Sequence, residues 1–236
     1  MRLAKRLMSS FPSIKADQYE MFSLNDGQVA ESPGAQFRTW FEEAVSSGIP
    51  VPEAMNVATA SLPSGRVSNR TVLLKDFDTE DRIVFYSNWE TSRKAADFRT
   101  NPWFSVTFFW KELQRQVRIE GKGERMSTEE SQQYFSERPR DSQIGAWASS
   151  QSQELTSREE FDDLYKAAEE RFKNVDKIPC PPYWGGMRIS PVFWEFWQGR
   201  KGRLHDRIIY RMGEHAQKGG DQSAADNHWR VSRLSP

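Results

Sequence analysis

The chain lacks several features that would point to common classes of protein. It has one cysteine in 236 residues, Cys180, which excludes an intrachain disulfide and a cysteine-rich metal site. No apolar run approaches the roughly 20 residues of a membrane-spanning helix. Its 33 basic and 33 acidic residues cancel, which argues against a protein that coats nucleic acid or an anionic membrane. Any cationic function must therefore be local.

Familiar catalytic motifs are missing as well. The sequence contains no G-x-x-x-x-G-K-[ST], no G-x-G-x-x-G, no H-E-x-x-H and no G-x-S-x-G. Its three histidines, His205, His215 and His228, show no metal-ligand spacing. We expect no metal site. Low cysteine content suits a reducing compartment, so we expect a cytoplasmic protein, and the basic start MRLAKRLMSS leaves a mitochondrial location open.

Aromatic residues are plentiful, with 9 Trp and 15 Phe, and can fill a core or stack on a flat cofactor. Residues 1–33 are polar without periodicity and predict a flexible N-terminal arm. A single domain is expected over residues 34–236, because neither an internal repeat nor a second core is visible. Its first element is a helix that ends near Gly48. The apolar stripe of this helix is Phe37, Trp40, Phe41, Ala44 and Val45.

The pattern then changes to the two-residue period of strands. Five follow in close succession and favour an antiparallel meander that curls into a small barrel. They are AMNVATA, RVSNRTVLLK, RIVFYSN, WFSVTFFW and RQVRIEGKGER. Three more strands come late in the chain, in MRISPVFWEFW, HDRIIYRM and HWRVSRL. The polar stretch GEHAQKGGDQSAADN is expected to be a mobile insertion between the last two.

Further helices are predicted at TSRKAADFRTNP, at STEESQQYFSERP with a Ser127–Glu130 capping box, and at TSREEFDDLYKAAEERFK. The last has an apolar stripe of Phe161, Leu164, Tyr165, Ala168 and Phe172. The fold class is therefore α+β, mostly antiparallel, with flanking helices.

Basic residues recur at the ends of these elements. Arg70 and Lys75 bracket the apolar strand NRTVLLK, and their odd separation puts them on opposite faces of a regular strand. In YSNWETSRKAADF, Ser87, Arg93 and Lys94 lie where a strand turns into a helix. Free N–H groups at a helix start suit a phosphate, and an anion would explain two cations there. Solvated charges remain the alternative in both segments.

Two more segments carry similar groups. Tyr134 and Arg138 are four residues apart on a helix and share a face, so with Ser142 they could hold a second phosphate. The alternative is an ordinary helix end. EFWQGRKGRLHDR packs five basic side chains into eight residues, namely Arg200, Lys201, Arg203, His205 and Arg207. It is either a solvated loop or a site for a phosphorylated ligand.

Together these segments resemble the pyridoxamine/pyridoxine 5'-phosphate oxidase family. The matching pieces, in the family's order, are NRTVLLK, FYSNWETSRKA, FFWKELQRQVRIEG, YFSERPRDSQIGAWASSQS, YWGGMRI, EFWQGRKGRLHDR and WRVSRLSP. The resemblance implies an FMN-binding split β-barrel and a homodimer with FMN at the subunit interface. It also implies oxidation of pyridoxine or pyridoxamine 5'-phosphate to pyridoxal 5'-phosphate, with O2 as acceptor and hydrogen peroxide as by-product.

The resemblance also assigns roles to residues. Around FMN it places Arg70, Thr71, Val72, Leu73, Leu74, Lys75, Tyr86, Ser87, Arg93, Lys94, Gln116, Gln151, Ser152, Trp197 and Arg207, some from the second subunit. On the substrate it places Lys75, Tyr134, Arg138, Ser142, Arg203, His205 and Tyr19. The arm departs from the family's Arg-x-x-Tyr, because KADQYEMF has Ala16 in place of the arginine.

Within this site we interpret Arg203 and His205 as the catalytic pair. In a strand-like RLHDR, Arg203, His205 and Arg207 point the same way. Arg207 would stabilise the reduced, anionic flavin, and Arg203 would press the substrate ring against it for hydride transfer from C4' to N5. His205 would orient the substrate or help remove its proton. The alternatives are an FMN-dependent reductase on the same barrel and a non-catalytic flavin- or pyridoxal-phosphate-binding module.

Overall fold

The computed structural model describes residues 19–213 and 229–236. Nine strands lie in this part of the chain: β1 (Ala54–Ala60), β2 (Val67–Leu73), β3 (Asp76–Phe77), β4 (Ile83–Asn88), β5 (Trp103–Trp110), β6 (Arg115–Arg125), β7 (Trp184–Gln198), β8 (Asp206–Met212) and β9 (Trp229–Arg233). Five helices flank them: α1 (Pro33–Ser46), α2 (Arg93–Phe98), α3 (Thr128–Glu137), α4 (Arg140–Ala148) and α5 (Arg158–Phe172). The α+β class is confirmed. The predicted insertion GEHAQKGGDQSAADN lies almost wholly outside the described residues, as do His215 and His228.

All paired strands of the sheet are antiparallel, but the first five do not form a simple meander. The strand order is β2-β1-β5-β6-β7-β4-β3, and β8 and β9 continue from β7. Thus β1 is flanked by β2 and β5, whereas β4 crosses over to pair with the first half of β7. Period-two patterning identifies strands but not their neighbours, so the order could not be read from the sequence.

The core lies between the curled sheet and α1. Phe37 of α1 is buried against Phe108 and Trp194 of the sheet, and Trp40 is buried against Phe196; the rings of Phe37 and Trp194 are 5.5 Å apart. Val45, which we placed on the buried stripe, is 53% exposed. The buried side chains of α1 follow the spacing i, i+3 and i+7, and Val45 falls outside that line.

A smaller apolar cluster, which we did not expect, lies under α3, α4 and α5 and includes Phe135, Ile144 and Trp184. β7 joins the two clusters, since Trp184 belongs to this one and Trp194 to the main core. The helix α4 was not predicted, and α5 packs against it. Leu164 is 43% exposed, because α4 covers only a narrow stripe of α5.

The predicted N-terminal arm is described from Tyr19 onward, and this portion packs on the domain. Leu24 is 3% exposed and belongs to the main core, and the Tyr210 hydroxyl donates to the Ala30 carbonyl at 2.7 Å. Across residues 19–213 and 229–236, no helix has the length and apolar character needed to cross a membrane.

Candidate active site

A cavity of about 540 Å³ opens at the end of β2, beside β4, the start of α2 and the loop after α4. Most of the predicted site residues before residue 153 line it. They are Arg70, Thr71, Val72, Leu73, Lys75, Tyr86, Ser87, Arg93, Lys94, Tyr134, Arg138, Gln151 and Ser152, joined by Trp184. The cavity therefore brings together segments that lie far apart in the chain.

Arg70 and Lys75 line this cavity together, so their predicted placement on opposite faces is wrong. The regular strand β2 ends at Leu73, and Lys75 lies outside it, in the two-residue connection before β3. Alternation applies only while the strand continues. Leu74, between them, is 8% exposed and packs in the main core, and its side chain does not line the cavity.

A buried carboxylate lies behind the cations of the cavity. Asp97 of α2 is 1% exposed, and its Oδ1 accepts a hydrogen bond from Nε of Arg93 at 3.0 Å. Its Oδ2 accepts from the hydroxyls of Thr59 and Ser68, which also contact the Arg70 guanidinium. Burial, together with the charge of Arg93, lowers the pKa of Arg70, although Asp97 opposes this shift.

Lys94 is the most deeply buried cation of the cavity, at 6% exposed. Its ammonium donates to Oε1 of Gln151 at 2.7 Å, and the Ser87 hydroxyl donates to the same oxygen at 3.0 Å. Burial, followed by repulsion from Arg70, lowers the pKa of Lys94 to about 8. The helix start that we expected to contribute is short, since α2 has 6 residues and Ser92 caps the Ala95 N–H. The cations, rather than the helix, make this end of the cavity suitable for an anion.

Stacked aromatic rings form another wall. The rings of Tyr86 and Tyr134 lie 3.9 Å apart and nearly parallel, and Trp184 stacks on Tyr86 at 5.3 Å. The guanidinium of Arg138 lies 4.7 Å from the centre of the Trp184 ring. Burial raises the pKa of Tyr86 to about 12, so its hydroxyl stays protonated at neutral pH.

Arg138 has an unsatisfied donor. Its Nη1 is buried and has no hydrogen-bond partner within the described residues. Burial lowers the pKa of Arg138, partly offset by Tyr134 and Cys180. A buried cationic donor without a partner is costly unless an anion reaches it. Ser142, predicted beside it, lies in the first turn of α4 and does not line the cavity.

The remaining predicted residues form a second group on neighbouring strands. Gln116 of β6 is opposite Trp197 of β7, which is opposite Arg207 of β8, so the three lie in one row across the sheet. Nε of Arg207 donates to the buried Glu195 carboxylate at 2.7 Å, and Arg118 donates to the other oxygen at 2.7 Å. None of this row lines the cavity in the single chain.

Arg203 and His205 lie just before Arg207 in the chain. They do not lie in a strand, contrary to our expectation. Lys201–Arg203 form a 3-10 turn in which Gly202 has φ 69° and Arg203 has φ 64°, and β8 starts only at Asp206. Such values leave the extended region, so alternation fails here. Arg203 is exposed, whereas the His205 ring packs 4.6 Å from Trp197 and 5.6 Å from Tyr19.

Hydrogen bonding defines the state of His205. Its Nδ1 accepts from the backbone N–H of Arg200 at 3.1 Å. Burial and then Arg203 lower its pKa, and Asp206 opposes them. A neutral imidazole with an accepting Nδ1 carries its proton on Nε2.

Sequence comparisons agree with this geometry. Residues 41–172 match the family described as pyridoxamine 5'-phosphate oxidase. The chain belongs to the pyridoxamine 5'-phosphate oxidase family. Residues 184–236 match the pyridoxine 5'-phosphate oxidase C-terminal dimerisation region.

Curated members of this family cover almost the whole chain. The pyridoxamine 5'-phosphate oxidase of Saccharomyces cerevisiae is 49% identical over 220 residues, which are 93% of this chain and 92% of that protein. The pyridoxine/pyridoxamine 5'-phosphate oxidase of Acaryochloris marina is 43% identical over 236 residues, the full length of both.

Solved structures share the fold. PhzG from Burkholderia lata 383, in complex with tetrahydrophenazine-1-carboxylic acid, superimposes with a TM-score of 0.79 at 25% identity, over 93% of this chain and 100% of that one. A pyridoxamine 5'-phosphate oxidase-related, FMN binding protein from Nostoc punctiforme superimposes with a TM-score of 0.63 at 17% identity, over 87% and 98%. The split-barrel fold expected of this family is confirmed.

Sequence reasoning missed several residues in and around the candidate site. Trp184 lies in the quoted segment YWGGMRI, but nothing in that segment linked it to Tyr86 and Arg138. Asp97 and Asp206 are acidic residues next to basic clusters, and no local pattern singled them out. Their positions depend on contacts with distant segments, which only the folded chain provides.

Proposed function

We propose that the protein is an FMN-dependent oxidase that produces pyridoxal 5'-phosphate. With pyridoxine 5'-phosphate and O2 as substrates, the products are pyridoxal 5'-phosphate and H2O2. With pyridoxamine 5'-phosphate, one water is also consumed and ammonia is released. The observation that carries the proposal is the single cavity lined by 13 residues that the family resemblance had assigned to FMN and substrate. Near-complete alignment with curated oxidases at 43–49% identity supports the same reaction.

The residues of the cavity fit FMN. Arg70, Arg93 and Lys94 bring three positive charges to the cavity, and burial lowers the pKa values of Arg70 and Lys94. We assign these three to the FMN phosphate, and the 71–75 segment, Tyr86, Ser87, Gln151 and Ser152 to the rest of the cofactor. When bound, FMN accepts a hydride and passes two electrons to O2.

The substrate phosphate is assigned to Lys75, Tyr134 and Arg138. The buried Nη1 of Arg138 is a donor without an acceptor, and a phosphate oxygen would satisfy it. The Arg138 guanidinium lies over the Trp184 ring, 4.7 Å from its centre, and this contact limits where that donor can move. Ser142 and the arm residue Tyr19 remain predictions as substrate contacts.

A homodimer would complete the site. We infer that Gln116, Trp197, Arg203, His205 and Arg207 of one protomer face the cavity of the other. Gln116, Trp197 and Arg207 form one row, His205 packs on Trp197, and none of the five residues lines the cavity of its own chain. The match of residues 184–236 to a dimerisation region supports this arrangement, since four of these five residues lie within it.

The hydrogen bond to His205 bears on its role. With Nδ1 occupied by the Arg200 N–H, the Nε2–H of the neutral ring is a donor. We therefore assign His205 to orienting the substrate oxygen or nitrogen rather than to removing its proton. Arg203, exposed beside it, is assigned to pressing the substrate ring into position, because orientation contributes much of the rate in a hydride transfer.

The test is a visible spectrum of the purified protein before and after pyridoxine 5'-phosphate is added in air. We expect a flavin spectrum, then a growing band of pyridoxal 5'-phosphate with stoichiometric H2O2. A flavin spectrum without product would favour the reductase or the non-catalytic binding module. A colourless protein that neither takes up FMN nor turns over would overturn the proposal.

A further inference from the structure

Asp97 contacts the cations of the cavity but does not line the cavity itself. Its side chain is 1% exposed, and all its described partners are donors. Oδ1 accepts from Nε of Arg93 at 3.0 Å, and Oδ2 accepts from the hydroxyls of Thr59 at 2.7 Å and Ser68 at 2.8 Å. Burial would raise its pKa, but these hydrogen bonds and the charge of Arg93 bring it below the usual value. Asp97 is therefore an anion at neutral pH.

The two hydroxyls connect Asp97 to Arg70. Nη1 of Arg70 donates to the Thr59 hydroxyl at 2.8 Å, and Nη2 donates to the Ser68 hydroxyl at 2.6 Å. A hydroxyl has one proton, and each of these gives it to Asp97, so only lone pairs face Arg70. The carboxylate thus sets the direction of both hydroxyls, and they in turn hold the guanidinium. Arg93 is held directly, by the same carboxylate.

The charge of Asp97 has the opposite effect on an anion. A carboxylate close to Arg70 and Arg93 lowers the positive potential that would attract a phosphate. If Asp97 were only a counter-charge, its removal would strengthen phosphate binding. Its geometry predicts the reverse. Without the carboxylate, Arg93 loses its acceptor, and Arg70 keeps the Val57 carbonyl but loses two oriented hydroxyl acceptors, so more mobile side chains must be ordered again when the phosphate binds.

We propose that Asp97 is a positioning residue for the cofactor phosphate: it aims Arg70 indirectly, through Thr59 and Ser68, and Arg93 directly, through its own carboxylate, into the cavity. This inference rests on the proposed binding of FMN. Asp97 itself touches neither the cofactor nor the substrate in this assignment, and it acts only through the two arginines.

Asp97→Asn separates the two effects. The amide keeps the size of the side chain and has one oxygen, so it cannot accept from the hydroxyls on one side and from Arg93 on the other. If the amide NH2 takes the place of Oδ2, it donates to the hydroxyl oxygens of Thr59 and Ser68. The protons of these hydroxyls then turn toward Arg70. The second variant, Thr59→Val, keeps the carboxylate and removes one connecting hydroxyl. Asp78→Asn is the matched control, because Asp78 also accepts several hydrogen bonds, but from Arg82 and Glu80, neither of which lines the cavity.

The measurement is the binding of FMN and of riboflavin to the apoprotein, followed by quenching of flavin fluorescence. Riboflavin lacks the phosphate, so it reports on the rest of the site. For Asp97→Asn we expect the Kd for FMN to rise about tenfold, which corresponds to one weakened charged hydrogen bond. Thr59→Val should show a smaller rise. The Kd for riboflavin should stay within about twofold of wild type in both, and Asp78→Asn should change neither.

Each other result has a distinct meaning. FMN binding that is unchanged or tighter in Asp97→Asn would overturn the inference and leave Asp97 as a counter-charge. An equal loss for both flavins would also overturn it, since that pattern indicates general damage to the fold. If Asp97→Asn does not fold, Thr59→Val decides the question. The quantities compared are again the Kd for FMN and the Kd for riboflavin, each relative to wild type. Wild-type protein that binds neither flavin would overturn the proposed cofactor, and the inference with it.

Discussion

The ammonium of Lys94 donates to the side-chain carbonyl of Gln151 at 2.7 Å, across 57 residues of sequence. Gln151 satisfies the hydrogen-bonding geometry of Lys94 but does not neutralise its charge. Burial, followed by repulsion from Arg70, lowers the pKa of Lys94 to about 8, and the neutral Gln151 carries no charge that would oppose this shift. An anionic ligand would restore the charged form, so the pair makes cofactor binding depend on pH.

We expect FMN affinity to fall as the pH rises above 8. Below that pH, Lys94 is protonated with or without ligand. Above it, free Lys94 is neutral and must take up a proton when the phosphate binds, so the Kd should rise up to about tenfold between pH 7 and pH 9. Fluorescence titrations of the apoprotein over this range test the idea. Lys94→Met should bind FMN more weakly, and its affinity for FMN should no longer depend on pH in this range. If the pH dependence persists in Lys94→Met, the group that titrates is not Lys94.

Arg138→Met should weaken substrate binding without destabilising the free protein. The variant removes a buried cation with an unsatisfied donor, so the free energy of unfolding should be unchanged or higher. The KM for the phosphorylated substrate should rise about 10- to 100-fold, as expected for lost charged hydrogen bonds. Steady-state kinetics and urea unfolding measure the two quantities. A fall in stability with unchanged KM would place Arg138 in a structural role.

Arg203→Ala should reduce turnover and leave FMN bound. The side chain is exposed in the single chain, so its loss should not disturb the fold, and misplacing the substrate ring should lower kcat about 100-fold. Flavin absorbance and kcat are measured on the same sample. Lys201→Ala is the control, since Lys201 is also exposed, lies in the same turn and forms an ion pair with Glu20 at the surface. Normal kinetics in Arg203→Ala would remove Arg203 from the site.

Asp206→Asn should loosen the contacts between the N-terminal arm and the loop that carries Arg203. The buried carboxylate accepts from the Leu24 N–H at 2.9 Å, from Arg233 at 2.8 Å and from Arg200 at 3.4 Å. Because the arginines are partly exposed, we expect a loss of about 1–3 kcal/mol in the free energy of unfolding, measured in urea. Asp162→Asn, at an exposed ion pair, should change it by less than about 0.5 kcal/mol. Equal effects would show that Asp206 contributes no more than a surface charge.

Phe109→Asp should disrupt the homodimer. Phe109 is 51% exposed and pairs with Gln116, so it extends the row that includes Trp197 and Arg207. A carboxylate buried there would be costly. Light scattering should report a monomer, with weaker FMN binding. The control is Leu164→Asp, another exposed apolar position, on α5. A dimer that survives Phe109→Asp would place the interface on another face.

Much of the secondary structure followed from local patterns. The two-residue period predicted β1 and β5 with their observed limits, and the Ser127–Glu130 capping box is present at the start of α3. These features depend on neighbours within a few residues, so a sequence pattern is enough. The prediction that Leu164 and Val45 belong to buried stripes was wrong, because the width of the buried stripe on a helix depends on what packs against that helix.

The sequence by itself determined which chemistry was available: basic, hydroxyl and aromatic side chains in the order of one family, without a metal site or a disulfide. Only the tertiary structure decided how they combine. It ended β2 at Leu73 so that Arg70 and Lys75 share a cavity, and it aligned Gln116, Trp197 and Arg207 through strand register. It also placed Asp97 behind two arginines. These relationships join residues far apart in the chain, and they arise because burial of the core and strand pairing are satisfied over the whole molecule at once.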